Sequence, residues 1–269
     1  MRATIILVIL FCGFMSLGQQ VRKDSSFFPN GFDYARDFKV IVEKSRDKTS
    51  DFYYHKLLAK FLNEDSTITR AETLALMIGY TEDPHFKPWK DMETEKEIFD
   101  LNDSADYEGS LEASKTYLNT HPLSLRVLKE RSFSYNQLKN KDSAQFFMDM
   151  VDRVMSAMIY SGKGKTPETP IFSLGLADGE YFIPNVGMSV AGKSTDWNKH
   201  KHFVEVIDAM NEMGEHNKFY FVIQHAKEKI DDDEVNDAPV KKSKKSKKSK
   251  TSKKVQAEKA TTDSIPAGN

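Results

Sequence analysis

One stretch in the C-terminal half of the chain has the residue types of a phosphate site. Residues 187–194 read GMSVAGKS and match the phosphate-loop pattern, in which backbone amides hold phosphates, the lysine reaches the terminal ones and the serine binds magnesium. That chemistry needs a strand before the loop and a helix after it. Pro184 interrupts the preceding strand and residues 195–198 read as a turn, so we expect a flexible glycine loop. The candidate cofactor-binding residues are Gly187, Gly192, Lys193 and Ser194.

Two other patterns come near known nucleotide and hydrolase motifs. Residues 162–166 (GKGKT) lack the first glycine of the phosphate pattern, because Ile159 occupies its position. Residues 187–191 have nearly the spacing of a nucleophile elbow centred on Ser189. A hydrolase of that type needs a long alternation of strands and helices, which this chain lacks. We therefore expect neither motif to carry its usual chemistry.

Three histidines could form a metal site. His200 and His202 are two residues apart and would share one face of an extended segment, and His225 could lie nearby across a hairpin. Zinc needs four protein ligands in a structural site and three in a catalytic site, and the neighbouring Lys199 and Lys201 would repel a dication. We expect surface histidines, no bound metal and no cofactor. A rival interpretation is a hydrolase built on Ser189, His200 and His225.

The first 18 residues have the three-part plan of a secretory signal. Arg2 supplies a positive charge, residues 3–14 are almost entirely apolar, and Ser16 and Gly18 are small residues before a cleavage site. We expect an exported protein, periplasmic or extracellular, with an uncleaved N-terminal anchor as the alternative. Cys12, the only cysteine, lies in the apolar run. The exported chain would then contain no disulfide, cysteine nucleophile or thiolate zinc site. No later stretch is apolar enough to span a membrane.

Charge is distributed unevenly along the chain. The whole sequence has a net charge of -1, but residues 19–230 contain 28 basic and 33 acidic residues, whereas residues 231–269 contain ten lysines and seven acids. An acidic run opens this last segment and a lysine-serine run from Lys241 to Lys254 follows. Like charges at this density predict a disordered tail. We expect it to be a solubilising tail or to contact another envelope protein or an anionic envelope polymer. Specific nucleic-acid binding is not expected, because no aromatic residue lies among the lysines.

Apolar residues at helical spacing predict most of the fold. Three early helices place their apolar faces at Phe38 to Val42, Tyr54 to Phe61 and Ala71 to Ile78, and Thr69 with Glu72 predicts a capping box for the third. Residues 84–88 read as a loop, with Trp89 as a packed lid. Three further helices follow from Tyr107, with turns near residues 121–122 and 140–142.

The later helices resemble a tetratricopeptide-type hairpin through Pro122, Tyr135 and Ala144. A wider resemblance rests on the segment DFYYHKLL at 51–58, on DSTIT at 65–69 with Glu72, and on a Pro-aromatic loop. In these features the chain is similar to the bacterial, Bacteroidota-type family called domain of unknown function 4919. The resemblance spans roughly residues 33–224. The resemblance implies a later helix pair, a turn at residues 161–162, a closing strand pair and an envelope location. It implies no activity, because the family has no assigned chemistry.

The C-terminal part of the body is predicted to contain strands. Residues 180–183 read as a short strand, and residues 218–224 are aromatic and β-branched enough for a second. Residues 203–213 fit either a helix or the partner strand of a hairpin, and we favour the hairpin, with residues 203–207 paired to residues 219–223.

These patterns predict a mainly α protein with tetratricopeptide-like helical hairpins and a small C-terminal β-hairpin element. The expected organisation is a signal peptide at 1–18, a linker at 19–32, one domain at 33–230 with its β element near 180–225, and the tail at 231–269. The expected function is non-enzymatic binding or scaffolding in the bacterial envelope. The alternatives are an envelope hydrolase and a nucleotide-binding protein using residues 187–194.

Overall fold

The computed structural model describes residues 27–237 of the 269-residue chain. The predictions for the signal peptide, for residues 19–26 and for the lysine run lie outside this range. The described residues form nine helices and four strands. The helices are α1 (Tyr34–Arg46), α2 (Tyr54–Leu62), α3 (Arg70–Tyr80), α4 (Pro88–Asp103), α5 (Tyr107–Leu118), α6 (Leu125–Gln137), α7 (Lys141–Ser161), α8 (Asp178–Asn185) and α9 (Gln224–Asp237). The strands are β1 (Ile171–Phe172), β2 (Ser189–Trp197), β3 (Phe203–Met210) and β4 (His216–Val222).

The core is built around helix α3. Every residue from Ala71 to Tyr80 is buried, and α1, α2 and α7 pack around the helix. A helix that is apolar on all sides must be covered on all sides, because each exposed face would lose its hydrophobic stabilisation. The capping box predicted for α3 is present: the Thr69 hydroxyl accepts from the Glu72 amide, and the Glu72 carboxylate accepts from the Thr69 amide.

Side-chain caps fix the starts of the other helices. Asp33, Asp106, Ser124 and Asn140 each accept a hydrogen bond from a first-turn amide of α1, α5, α6 and α7, respectively. Such a cap satisfies a backbone donor that has no partner within the helix. The six helices predicted from apolar spacing are confirmed, and the protein is mainly α as expected.

The strands form one small sheet in the order β1-β4-β3-β2. Strands β2, β3 and β4 are antiparallel neighbours, and β1 pairs in parallel with β4. The hairpin favoured for residues 203–213 is confirmed, with Ile207 opposite Phe219. The β element is nonetheless larger than a hairpin, because β1 and β2 extend it on both sides. Within the described residues, β2 is an edge strand whose side chains are nearly all exposed.

Two predictions near this sheet are wrong. Residues 180–183 belong to helix α8 and not to a strand. Its buried residues Gly179, Phe182 and Ile183 follow the three-and-four spacing of a helix packed on the sheet, which a reading based on aromatic content alone overlooked. Residues 195–197 were predicted as a turn, but they continue strand β2 to Trp197.

Helix α4 was not predicted. Most of its 16 residues are polar or charged and only Pro88, Ile98 and Asn102 are buried, so its apolar periodicity is slight. Pro88 at its first turn is suited to a helix start, because proline lacks the amide that would be unpaired there. Trp89 is 56% exposed, so the expected packed lid is wrong.

The limits of the domain also differ from those predicted. Phe28 was assigned to a linker, but it is buried and packs against Phe52 and Tyr160. Helix α9 continues to Asp237, so residues 231–237 are helical and do not begin a disordered tail. Two ion pairs offset the repulsion within the acidic run: Lys227 with Asp231, and Lys87 with Asp233, each at 2.7 Å. No helix in the described range is both long and apolar enough to cross a bilayer.

Candidate functional site

A cleft of about 830 Å³ opens between the start of α1, the end of α7 and the connection between β2 and β3. Its walls include residues 30–36, residues 159–163 and the segment that leads into β1. The β2–β3 connection contributes Asn198, His200 and His202. Apolar surface comes from Phe32, Ile159, Tyr160, Ile171, Phe182, Val186 and Phe219. A cleft of this size with mixed walls is typical of small-molecule sites.

Tyr34 links the cleft to the core. Its ring meets the His202 ring edge-on at 4.9 Å on the cleft side, and its hydroxyl lies 3.4 Å from Nδ1 of the buried His225. On its other side His225 Nε2 lies 3.3 Å from the Leu174 carbonyl oxygen, to which it donates in the neutral tautomer that leaves Nδ1 to accept from Tyr34. Burial lowers the pKa of His225 to about 4, so the ring is neutral at pH 7. Burial also raises the pKa of Tyr34.

The three histidines considered as metal ligands are divided between the cleft and the core. The rings of His200 and His202 lie 6.0 Å apart on the cleft, whereas His225 belongs to the core and stacks on Phe172 at 4.7 Å. In the described part of the chain, no group of three or more His, Asp or Glu side chains could hold a metal ion. Burial, followed by the neighbouring His200, lowers the pKa of His202. The expectation of surface histidines is therefore wrong for His225, which is a buried core residue, whereas His200 and His202 line the cleft.

Residues 187–194 form neither a phosphate loop nor a flexible loop. Ser189 to Ser194 lie in strand β2, paired with β3, and a bulge interrupts the register between Val190 and Gly192. The Lys193 ammonium is paired with the Glu180 carboxylate on α8. Since strand β2 continues from Ser194 to Trp197 and no helix directly follows the motif, the amides are not arranged to hold phosphates in the way that the pattern requires. The candidate residues Gly187, Gly192, Lys193 and Ser194 thus do not assemble into a nucleotide site.

The proposed hydrolase residues are also separated. Ser189 stands at one end of β2, where its hydroxyl donates to the Met210 carbonyl oxygen at 3.2 Å. His200 follows the other end, beyond Trp197, and a strand of this length spans about 26 Å. His225 is in the core. Ser189 therefore has neither histidine within hydrogen-bond reach.

The glycines of residues 162–166 have a packing role. A Cβ on Gly162 would lie 2.1 Å from the Pro170 carbonyl oxygen, and a Cβ on Gly164 would lie 2.7 Å from Ile171 Cδ1. Gly164 has a φ of 65°, which favours glycine, and its carbonyl accepts from the Tyr220 amide at 2.9 Å. These glycines let the segment lie closely against β1 and β4, at the wall of the cleft.

A second group of polar residues surrounds a cavity of about 30 Å³ between α4, the α5–α6 turn and the start of α8. His121 Nε2 lies 3.1 Å from Asp91 Oδ1, and the His121 ring stacks on Tyr117 at 4.0 Å. The Ser124 hydroxyl donates to Glu95 at 2.6 Å, and the Gly175 amide donates to Asp178 at 2.7 Å. The cavity has room for about one water molecule, so it cannot hold a substrate.

The pKa values of three residues in this second group are shifted from their ordinary values. Burial, with a contribution from the Asp178 charge, raises the pKa of Glu95 to about 8, and burial raises that of Asp178 to about 6. Burial opposes the charged form of His121, but the hydrogen bond to Asp91 and its charge outweigh this and raise the pKa. Sequence reasoning missed Asp91 and Glu95 because helix α4, on which both lie, was missed. The available signal was Glu95 in line with Pro88, Ile98 and Asn102 on one helix face.

Residues 39–232 match the family model described as Domain of unknown function (DUF4919). The match covers well over half of the chain, so the chain belongs to this family, as its residues suggested. No curated protein and no solved structure matches the chain. The tetratricopeptide likeness of the later helices and the Bacteroidota origin are not part of the match, and both stay predictions.

Proposed function

We propose that this DUF4919 protein is a non-enzymatic binding protein of the bacterial envelope, and that it holds a small ligand in the cleft between α1, α7 and the β2–β3 connection. The observation that carries the proposal is the cleft itself. Its volume of about 830 Å³ lies within the range of sites that enclose most of a small molecule's surface.

The walls of the cleft support binding because they combine apolar surface with a few fixed polar groups. Ile159 is 54% exposed and Val186 is 40% exposed, and both line the cleft. An apolar ligand that covered these two side chains would remove their apolar surface from water, and this burial would stabilise the complex. The Tyr34 and His202 rings form a T-shaped contact, and the contact from Tyr34 to His225 anchors this wall to the core. A rigid wall lowers the entropic cost of binding.

The separation of Ser189 from His200 and His225 favours binding over the hydrolase alternative. Acyl transfer by a serine needs a base within hydrogen-bond reach of the hydroxyl. The Ser189 hydroxyl contacts a backbone carbonyl instead.

The envelope location rests on residues 1–18, whose charge, apolar run and small residues are those of an export signal. Under this proposal the lysine run from Lys241 to Lys254 contacts another envelope protein or an anionic polymer. N-terminal sequencing of the protein purified from its natural source should begin at Gln19. A protein that begins at Met1 in the cytoplasmic fraction would refute the location.

The cleft is tested by filling it. Ala35 is exposed and lines the cleft from the first turn of α1, so Ala35→Trp should place an indole in the ligand's space without disturbing the core. Val40 on the same helix is 46% exposed and lies outside the cleft, which makes Val40→Trp the matched control. The probe is N-phenylnaphthylamine, an uncharged dye that fluoresces when it is bound to an apolar site.

We expect saturable binding of the dye to the full chain, retention of that binding in Val40→Trp and its loss in Ala35→Trp. Circular dichroism melting curves should show that both variants remain folded. Absence of saturable binding to the native chain, or equal binding by the two variants, would contradict a ligand site in this cleft.

A further inference from the structure

Two lysine-containing loops line the same cleft. We call residues 162–166 the GKGKT loop and residues 198–202, which read NKHKH, the NKHKH loop. Lys163 and Lys165 of the first loop and His200 and His202 of the second are cleft-lining residues. The loops are more than thirty residues apart in the sequence, and the fold brings them together.

A buried asparagine fixes the NKHKH loop. Asn198 Oδ1 accepts from the amides of His200 at 2.9 Å and His202 at 3.0 Å, which gives the loop its tight curvature. Its Nδ2 donates to the Pro167 carbonyl oxygen at 3.2 Å, just beyond the GKGKT loop. A single side chain therefore holds the two basic segments at a set separation.

The lining also contains two carboxylates and a third cation, Arg36. Asp33 caps helix α1 by accepting from the Arg36 amide, and the Arg36 guanidinium is itself held by Asp37. Glu168 is the other acidic residue of the lining. Lys165 lies over the Phe219 ring at 4.1 Å, a contact that keeps its ammonium at the cleft wall. The lining thus contains three cationic side chains (Arg36, Lys163 and Lys165), two carboxylates (Asp33 and Glu168) and two imidazoles that can donate hydrogen bonds.

We propose that the cleft binds an amphiphilic anion, with its apolar part along the exposed aliphatic and aromatic wall and its carboxylate or phosphate group between the GKGKT and NKHKH loops. This inference rests on the proposed function and adds the class of ligand. Lysine ammonium and imidazole groups donate to either kind of anion, and such charge-assisted hydrogen bonds are stronger than neutral ones.

The test compares two dyes that differ by one anionic group. Anilinonaphthalenesulfonate is N-phenylnaphthylamine with one added sulfonate, so the ratio of their dissociation constants for the full chain reports what the anion contributes. One charge-assisted hydrogen bond corresponds to about ten-fold tighter binding, which is the preference for the sulfonate that we expect in low salt. Because screening weakens exposed charge interactions, the preference should shrink as salt is added.

The double variant Lys163→Gln, His200→Gln should bind the uncharged dye as the native chain does and lose the preference for the sulfonate. The matched control is Lys56→Gln, His55→Gln, which removes the same side chains from exposed positions on α2 outside the cleft. The control should keep the preference. Displacement of the sulfonate by dodecanoate and by dodecyl phosphate then distinguishes a carboxylate from a phosphate ligand.

Each failure has a distinct meaning. Equal affinity for the two dyes, a preference that survives in the cleft variant, or displacement by dodecanol as strong as by either anion would overturn the anionic ligand class while leaving a cleft that binds. Failure of both dyes to bind would instead reject the proposed function.

Discussion

Glu205 on strand β3 lies directly against Gly179 on helix α8. A Cβ on Gly179 would stand 2.6 Å from Glu205 Oε2 and 2.8 Å from Ile207 Cδ1. Helix α8 therefore packs on the sheet through Gly179, because only a residue without a side chain leaves space for the Glu205 carboxyl group. Glu205 is buried, and its Oε2 has no hydrogen-bond partner in the part of the chain that the structure describes. The position of α8 and the titration of Glu205 are consequently linked.

The first prediction concerns this contact. Gly179→Ala should lower the free energy of unfolding by about 1 to 3 kcal/mol, because the added methyl group overlaps Glu205 and Ile207. Gly192→Ala on β2 is the control: a Cβ there would meet open space, and we expect a change within about 0.5 kcal/mol. Urea unfolding followed by circular dichroism measures both. Equal stability of the two variants would contradict the packing.

The second prediction is a decrease of stability with rising pH. Burial raises the pKa of Glu205 from 4.5 to about 7, with Lys193 acting in the opposite direction. The folded protein therefore binds more protons than the unfolded chain between these values. The stabilisation is complete below pH 4.5 and is lost as the pH rises to 7, a change of about 3 kcal/mol. Unfolding free energies measured across this range should fall less steeply in Glu205→Gln. A Glu93→Gln variant, altered at an exposed site on α4, should keep the native slope.

His225 should give the opposite dependence. Its pKa is lowered to about 4 by burial, so its contribution to stability is complete above 6.5 and is lost as the pH falls toward 4. His225→Phe keeps a ring beside Phe172 but leaves the Leu174 carbonyl and the Tyr34 hydroxyl without this partner. At pH 7 the variant should be less stable than the native chain by about 1 to 3 kcal/mol. That deficit should narrow by about 2 kcal/mol at pH 4.5, since phenylalanine does not titrate. A deficit that is the same at both pH values would show that His225 does not titrate in this way.

The fourth prediction concerns the start of the central helix. Thr69→Ala removes the hydroxyl that accepts from the Glu72 amide, and it should destabilise the protein by about 1 kcal/mol. Thr67, two residues earlier, is exposed and does not cap the helix, so Thr67→Ala should have a smaller effect. Thermal melts of the two variants provide the comparison. A larger loss in Thr67→Ala would contradict the capping box.

The sequence predicted those helices whose burial follows a clear apolar stripe. Leu57 and Phe61 on α2, and Val151, Val154 and Met158 on α7, repeat at helical spacing and are all buried. Helix α4 escaped prediction because much of its buried face is polar. On that face Glu95 accepts a hydrogen bond from the Ser124 hydroxyl, and the Asn102 amide donates to the Glu130 carboxylate. Periodicity in hydrophobicity does not register such contacts.

The candidate cleft could not be predicted from local patterns. The local pattern of residues 162–166 came near a phosphate-binding motif, and the histidines of residues 198–202 came near a metal-binding pattern. Neither pattern indicated that the two segments line one cleft. Their shared location depends on Asn198 reaching the Pro167 carbonyl, a contact between distant segments that no motif encodes. Lys193 is a further example. The motif predicted that it would contact phosphate, whereas in the fold it is paired with Glu180.

The parallel pairing of β1 with β4 has a consequence for how the protein is made. Ile171 lies opposite Phe221, so β1 has no partner in the sheet until some fifty further residues have been synthesised. Contacts between such distant segments form late, because the intervening loop must first be closed. A chain that leaves the ribosome or an export channel from its N-terminus can assemble α1 to α7 early. The cleft acquires Phe219 in its wall only when β4 is in place. Under the proposed function, the protein would therefore become competent to bind as one of the last steps of its folding.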